Sequence, residues 1–297
     1  MKTVVADNSG ICFGVRRALS MLDEALVNAE KDKTIVMLGP LIHNPRVIRD
    51  YDEKGVKVVD VNSVRKNSCV VVRSHGITDS EQKILNSVDD IDIIDTTCPY
   101  VKRIHQLVEK RSGEGFAVLI MGDRNHSEVA GITSRIKGDF FVVHPSEFNT
   151  ESKNLADFVT SHKKVFAVAQ TTSRPANYDV LLKRVRKLVS ELEGHRFLAA
   201  ETICTATLKR QDSAAELAKK VDSMVVVGGK NSSNTSKLFQ VVSELNVNSF
   251  WVESVEDFTE SDLEKLKHSE ITGITAGAST PDGQIAEMKF FLEKLND

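Results

Sequence analysis

The sequence predicts an α/β protein made of three related small domains, each with a parallel-type sheet. Short Val- and Ile-rich runs alternate with longer amphipathic stretches, which is typical of strands and helices that follow one another in such sheets. The chain also repeats itself three times when it is aligned on Cys12, Cys98 and Cys204. Its 297 residues, 41% of them apolar, are enough for three domains of about 90 residues with buried cores.

The first half of each repeat contains one cysteine and one polar loop. Each cysteine ends an extended run: TVVADNSGIC, DIDIIDTTC and HRFLAAETIC. A helical pattern follows, and then an apolar strand that runs into a polar loop: TIVMLGPLIHNP, FAVLIMGDRNHSE and SMVVVGGKNSSN. His43 lies 31 residues after its cysteine, and His126 and Ser232 each lie 28 residues after theirs. These spacings predict that the three loop residues occupy equivalent positions.

The second half of each repeat contains two further strands with a helical segment between them. The last strands are VVVRSHG, VFAVAQTT and ITGITAGAST, and their ends carry His75, Thr171 and Ser279. The third repeat lacks a closing strand, while the N-terminal run TVVAD lacks a repeat of its own. We therefore infer that the N-terminal strand completes the third domain. The predicted domains are residues 13–97, residues 98–200, and residues 201–285 together with 1–12, with residues 286–297 as a C-terminal tail.

The polar residues of all three repeats follow the carboxyl ends of predicted strands, where open parallel sheets bind ligands. We expect the domains to face one shared cavity. Residues 230–234 (KNSSN) and 277–280 (GAST) offer hydroxyl, amide and backbone N–H groups that suit a phosphate, although ordinary turns and helix caps have the same composition. Glu128 is a candidate proton donor or relay, with a solvated loop acid as the alternative. One histidine at a strand end is as often structural as functional, but three at related positions indicate a site.

The cysteines predict a metal centre. The N-terminus has no apolar signal segment, so we expect a cytosolic protein, in which disulfides are uncommon. Cys69 lies in the apolar run SCVVVR and is expected to be a small buried residue. For the other three cysteines the alternatives are unrelated buried thiols, a zinc site completed by a histidine, or an iron–sulfur cluster. Structural zinc favours close C-x-x-C pairs, which this sequence lacks, whereas three thiolates on a cluster leave one iron open for substrate.

Other function classes are disfavoured by composition and motifs. Basic and acidic residues number 39 and 42, so no general basic field favours a nucleic-acid partner. No apolar stretch approaches the roughly 20 residues of a membrane span. No GxxxxGK[ST] or GxGxxG motif is present. His105 is placed on a helix without a role in the site, and Trp251 is expected in the core.

Nine segments together resemble the family of 4-hydroxy-3-methylbut-2-enyl diphosphate reductases, the last enzymes of the non-mevalonate isoprenoid pathway. They are GICFGVRRA, LIHNP, VRSHG, DTTCPYV, NHSEV, QTT, ETICTAT, VVGGKNSSN and GITAGASTPD, and the resemblance runs from about residue 8 to residue 282. The resemblance implies a pseudo-threefold trefoil of α/β domains around a central cluster cavity. It also implies a 4Fe–4S cluster, an allylic diphosphate substrate, and reduced ferredoxin or flavodoxin as the electron donor.

The resemblance also implies roles for individual residues. The cluster ligands would be Cys12, Cys98 and Cys204. The diphosphate would be bound by His43, His75, Ser232, Ser233, Asn234 and Ser279. His126 and Thr171 would contact the hydroxymethyl end of the substrate, and Glu128 would supply the proton. Ser127, Asn44 and Thr205 depart from the residues that are common in the family at these positions, and none of the three removes a group that the chemistry requires.

Three other functions share part of this evidence. A quinolinate-synthase-like enzyme would also hold a three-cysteine cluster with an open iron, but it would catalyse condensation and dehydration. A non-enzymatic iron–sulfur sensor would need a partner surface that the sequence does not indicate. A zinc hydrolase built on three cysteines is the remaining alternative.

Overall fold

The protein is described by a computed structural model that covers residues 1–28 and 32–295. Its strands are β1 (Lys2–Val5), β2 (Thr34–Leu38), β3 (Lys57–Val59), β4 (Ser68–Val72), β5 (Ile91–Asp95), β6 (Ala117–Met121), β7 (Phe140–Val143), β8 (Lys164–Ala169), β9 (Arg196–Ala199), β10 (Ser223–Val227), β11 (Ser249–Val252) and β12 (Ile271–Ala276). Its α-helices are α1 (Phe13–Asn28), α2 (Pro45–Glu53), α3 (Asp79–Asn86), α4 (Pro99–Gly113), α5 (Ser127–Thr133), α6 (Ser152–Ser161), α7 (Pro175–Ser190), α8 (Thr205–Ala218), α9 (Ser233–Ser243), α10 (Glu260–Lys267) and α11 (Asp282–Lys294).

The strands form three four-stranded sheets with one topology. The strand orders are β3-β2-β4-β5 in the first sheet, β7-β6-β8-β9 in the second and β11-β10-β12-β1 in the third. Every pairing is parallel. In the third sheet β1 takes the outer place that β5 and β9 take in the others, with Val5 opposite Ile274. The predicted α/β class and the inferred pairing of the N-terminal strand with the third repeat are both confirmed.

The chain separates into two compact units. The first unit holds residues 1–17, 42–53 and 205–295, and therefore the whole third sheet. The second unit holds residues 18–28, 32–41 and 54–204, with the first and second sheets. Three separate domains with the predicted boundaries stay a prediction.

The C-terminal segment differs from the expected tail. Residues 286–294 belong to helix α11, and residues 296 and 297 lie outside the described residues. The helix forms because Ile285, Met288 and Leu292 recur at helical spacing and are buried in the core of the third sheet, beside Val225 and Ile274.

The central strands carry apolar side chains on both faces, because helices cover both faces of a parallel sheet. In β6, Leu119 and Met121 pack in the core with residues of α6 and α7, while Val118 and Ile120 pack with residues of α4 and α5. The strands read as continuous Val, Ile and Leu runs for this reason. In the described part of the chain no helix has the length and apolar character that a membrane span requires.

The register of the central strand pairs places their carboxyl ends side by side. The last paired residues are Leu38 with Val72, Met121 with Ala169, and Val227 with Ala276. Two polar loops therefore leave the same edge of each sheet. Most residues predicted for the site lie in these loops or at the helix starts after them, and the three cysteines follow the outer strands β1, β5 and β9.

Candidate active site

The three cysteines occupy one structural position in the three repeats. Each is the residue directly before a helix, namely α1, α4 or α8. The backbone N–H of each cysteine donates to a carbonyl in the loop after a central strand. These bonds join Cys12 to Ala278 (3.1 Å), Cys98 to Ser74 (2.9 Å) and Cys204 to Thr171 (3.0 Å). The equivalence predicted from the spacing thus extends to the backbone hydrogen bonds.

The environments of the four cysteines differ in the way that metal ligation requires. Cys12, Cys98 and Cys204 are half-buried cysteines at helix N-termini, where the positive end of the helix stabilises negative charge. Cys69 is buried in β4, and burial raises the pKa of its thiol. The first three suit thiolate ligands, and Cys69 is the small buried residue that the sequence predicts.

In the first unit, the start of helix α9 is a group of hydroxyls backed by a cation. The Ser232 hydroxyl caps the helix by accepting a hydrogen bond from the Thr235 N–H at 3.2 Å. Lys237, one turn later and 8% exposed, donates to the Ser233 hydroxyl at 2.8 Å. The positive helix end and the buried ammonium group make this turn favourable for an anion.

Asparagine side chains hold the neighbouring loops of the first unit in place. The Asn234 Oδ1 accepts a hydrogen bond from the Ala278 N–H at 2.9 Å, which ties α9 to the loop of residues 277–280. The Asn44 Nδ2 donates to the Ser279 carbonyl at 2.8 Å, while its Oδ1 accepts from the Val47 N–H at 3.2 Å at the start of α2. Asn44 is thus a buried bridge between two loops, a role that sequence analysis did not predict.

The loop that carries His43 lies against a glycine after β10. A Cβ atom on Gly229 would lie 2.7 Å from the His43 carbonyl oxygen, so a side chain at this position would displace the loop. On the edge strand β11, Trp251 donates from Nε1 to the Gly228 carbonyl at 2.7 Å, and the Lys230 ammonium lies 4.6 Å from its ring centroid. Trp251 therefore supports the loop and is only partly buried, so its expected place in the core is wrong.

In the second unit, Glu128 and Thr171 form a buried pair. Glu128 is 1% exposed; its Oε1 accepts from the Thr171 N–H at 2.7 Å and its Oε2 from the Thr171 hydroxyl at 2.8 Å. The alternative of a solvated loop acid is therefore wrong. Thr171, two residues after the end of β8, thus fixes both oxygens of the Glu128 carboxylate.

His126 caps the helix that carries Glu128. Its Nδ1 accepts from the Glu128 N–H at 3.1 Å, so the neutral ring carries its proton on Nε2. The rings of His75 and His126 meet edge to face, with centroids 5.5 Å apart. The ends of the first and second sheets thus bring His75, His126, Glu128 and Thr171 together.

His105, to which the sequence assigns no role, packs against the loop that carries His75 and against helix α5. The ring is 7% exposed and lies between two glycines: a Cβ atom on Gly76 would be 3.0 Å from its Cε1, and one on Gly131 would be 3.1 Å from its Nε2. Burial lowers the pKa of His105 to about 4, so the ring is neutral at pH 7. The buried stripe of α4, which includes Val101, Ile104 and Val108, was the signal that could have placed it inside.

The predicted site residues divide between the two units. Cys12, His43, Ser232, Ser233, Asn234 and Ser279 belong to the first unit, and Cys98, Cys204, His75, His126, Glu128 and Thr171 belong to the second. All twelve lie in loops or helix starts that follow strands. A single cavity that gathers both groups stays a prediction.

Comparison with known proteins gives full-length matches. The family model described as LytB protein matches residues 3–293. A 4-hydroxy-3-methylbut-2-enyl diphosphate reductase of Clostridioides difficile (strain 630) is 40% identical over 297 residues, which cover 99% of this chain and 100% of the relative. The reductase of the same name from Caldanaerobacter subterraneus subsp. tengcongensis is 38% identical over 298 residues, covering 99% of this chain and 96% of the relative.

Two solved structures resemble the whole chain. One is an (E)-4-hydroxy-3-methyl-but-2-enyl diphosphate reductase described as the terminal enzyme of the non-mevalonate pathway. It has a TM-score of 0.69 and 32% identity, and it covers 99% of this chain and 100% of its own. The other, the E-1-hydroxy-2-methyl-but-2-enyl-4-diphosphate reductase of Plasmodium falciparum, has a TM-score of 0.86 and 25% identity, with coverage of 99% and 89%. The chain belongs to the LytB family.

Proposed function

We propose that this protein is a 4-hydroxy-3-methylbut-2-enyl diphosphate reductase. The substrate takes up two electrons and two protons, its allylic C–O bond breaks, and the products are water with isopentenyl or dimethylallyl diphosphate. Full-length relatives of that name support the proposal, and membership of the LytB family leaves no ground for the quinolinate-synthase, sensor or zinc-hydrolase alternatives. The structural observation that carries the proposal is the buried Glu128–Thr171 pair beside His126.

Cys12, Cys98 and Cys204 would hold the iron–sulfur cluster. All three are half-buried cysteines placed directly before helices, so the donor set fits a cluster with three thiolate ligands. Such a cluster supplies electrons and, at its open iron, a Lewis acid. Reduced ferredoxin or flavodoxin is the proposed source of the electrons, and the cytosol is the proposed location.

The hydroxyl-rich loops and two histidines would bind the diphosphate. Ser232, Ser233 and Asn234 lie at the positive end of α9, and Ser279 lies in the loop that Asn234 holds. These groups supply hydrogen-bond donors for phosphate oxygens, while His43 and His75 add ring N–H donors. The groups that would bind the diphosphate therefore provide a local anion site, although the net charge of the whole chain is −3.

Proton delivery falls to Glu128 and Thr171. The Thr171 hydroxyl hydrogen-bonds to the Glu128 carboxylate, so a proton on Glu128 has a path through that hydroxyl to a substrate oxygen. The Thr171 N–H fixes the other carboxylate oxygen, which holds the pair in one orientation. His126 offers Nε2–H as a further donor, because the helix N–H occupies its Nδ1.

The test is an anaerobic assay of the iron-reconstituted protein with (E)-4-hydroxy-3-methylbut-2-enyl diphosphate and reduced methyl viologen. The expected result is oxidation of two viologen radicals per molecule of isopentenyl or dimethylallyl diphosphate. Cys98→Ser is the matched control and should lose both iron and turnover. Iron-loaded protein that binds the substrate without forming either product would contradict the proposal.

A further inference from the structure

The proposed reduction needs two electrons, and a separate electron donor must supply them. We propose that the surface around Cys12 is the docking site of a small acidic protein that carries one electron at a time. This inference rests on the proposed function, because the docked protein is the electron donor of that reaction.

A cavity of about 270 Å³ lies beside Cys12. It is formed at the starts of helices α1 and α8, and its lining includes Cys12, Phe13, Thr205 and Lys209. A proposed cluster ligand is thus part of a surface cavity within the first unit. An electron carrier seated on this cavity would contact Cys12, one of the three proposed cluster ligands.

Phe13 gives this surface an apolar contact point. Its side chain is 66% exposed, the highest value among the exposed phenylalanines of the described chain. It directly follows Cys12, so its position is fixed by the backbone hydrogen bond that joins Cys12 to Ala278. Aromatic side chains are enriched in the cores of protein interfaces, and an exposed apolar group beside a redox ligand favours a partner that covers it.

Two exposed cations lie close to Phe13 along helices α1 and α8. Arg16 and Lys209 are exposed, and no described residue forms an ion pair with either side chain. None of the described residues that line the cavity carries a carboxylate. The N-terminal ends of α1 and α8 add the positive ends of two helices.

Arg210 adds a buried positive charge beneath the same cavity. It is 3% exposed, and its Nη2 donates to the Gly10 carbonyl at 2.6 Å, which holds the loop that leads to Cys12. On a chain of net charge −3 this concentration of positive charge is local. A partner with the opposite charge would be attracted to this surface and oriented on it.

Two successive binding events of the carrier supply the two electrons. In each visit the reduced carrier is oxidised by one electron and the enzyme is reduced by one electron. After two visits the substrate has received two electrons and, with two protons, releases its hydroxyl as water. Small one-electron carrier proteins that are acidic meet this requirement, and the surface selects them by charge and by the apolar contact at Phe13.

The experiment measures binding of an acidic ferredoxin to the cluster-loaded enzyme by calorimetry, at low and at high salt. The test variant is the double charge reversal R16E/K209E, and Phe13→Ser tests the apolar contact separately. Lys265→Glu is the matched control: Lys265 is exposed, has no ion-pair partner among the described residues, and lies on α10. Helices α8 and α10 pack on opposite faces of the third sheet.

We expect R16E/K209E to weaken ferredoxin binding at least tenfold at low salt and to lose most of its salt dependence. Phe13→Ser should weaken binding at both salt concentrations, and Lys265→Glu should stay within twofold of the wild type. Turnover with reduced methyl viologen should be unchanged in all of them, because this small donor needs no docking surface.

Equal binding of ferredoxin by R16E/K209E and by Lys265→Glu would overturn the docking site. So would a wild-type protein that sediments as a dimer which R16E/K209E dissociates, because a second copy would then cover the surface. Absence of viologen-driven turnover in the wild type would refute the proposed function instead, and the binding measurement separates the two failures. Thermal melting of each variant checks that its fold is intact, and Phe13→Ser serves if the double reversal lowers stability.

Discussion

Replacing Glu128 by glutamine separates the chemical role of this residue from its structural one. The carboxylate accepts two hydrogen bonds from Thr171, at 2.7 Å from the N–H and at 2.8 Å from the hydroxyl. A glutamine keeps an oxygen for the N–H, and its amide group can donate to the hydroxyl oxygen once that hydroxyl rotates. The side chain therefore stays in place, but it can no longer give up a proton.

The structure sets different magnitudes for stability and for activity. A charged hydrogen bond becomes a neutral one in Glu128→Gln, so the free energy of unfolding should fall by about 1 kcal/mol. Turnover should fall by roughly 10²- to 10⁴-fold, the usual contribution of a positioned acid. Glu128→Ala leaves two buried Thr171 donors without an acceptor, so it should lose a further 1–3 kcal/mol or so for each donor.

The assay is anaerobic turnover with reduced methyl viologen, together with urea unfolding and iron content. Thr171→Ser is the matched control, because it keeps both the N–H and the hydroxyl and should stay within about fivefold of wild-type turnover. A Glu128→Gln variant with full iron content and wild-type turnover would refute the role of Glu128 as proton source.

Three further predictions follow from buried contacts. The folded-state pKa of His105, about 4, is lower than the unfolded value of about 6.5, so this residue's contribution to stability is fully present above pH 6.5 and is lost as the pH falls. At pH 5 the free energy of unfolding should be lower by about 2 kcal/mol, and His105→Gln should reduce that loss in urea unfolding. Ser232→Ala removes the cap of α9, so the free energy of unfolding should fall by about 1 kcal/mol and KM for the diphosphate should rise. An unchanged KM would show that this hydroxyl does not bind the substrate. Asn234→Leu removes the acceptor of the Ala278 N–H, so calorimetry should show diphosphate binding at least tenfold weaker, and Asn234→Asp, which keeps an acceptor oxygen, should retain more of the affinity than Asn234→Leu.

Much of the fold was predictable because one pattern occurs three times. A strand alone is ambiguous, but three equivalent cysteines with three equivalent polar loops predict how strands and helices follow one another along each repeat. Comparing the three repeats also shows that the third lacks a closing strand of its own. The N-terminal strand β1 fills that place by pairing with β12. Helix α11 was missed because it follows the last repeated motif, although the spacing of its apolar residues is helical.

The parts of the site that were missed depend on contacts between distant positions. The role of Asn44 comes from hydrogen bonds to Ser279 and to the start of α2, and nothing in the local sequence shows them. His105 lies between two glycines that are 29 and 26 residues away along the chain, so its packing against them is visible only in three dimensions. Loop residues that touch only their neighbours, such as Ser232, were predicted correctly as polar groups at a helix start.

Cys12, Cys98 and Cys204 are proposed to hold a cluster whose remaining iron is open for substrate. Mössbauer spectra of the ⁵⁷Fe-reconstituted protein, recorded with and without (E)-4-hydroxy-3-methylbut-2-enyl diphosphate, can distinguish that iron from the others. We expect four irons per chain, with the signal of one iron changed by the substrate and the other three nearly constant. Spectra in which the substrate changes no iron, or a metal content dominated by zinc, would refute this role of the three cysteines.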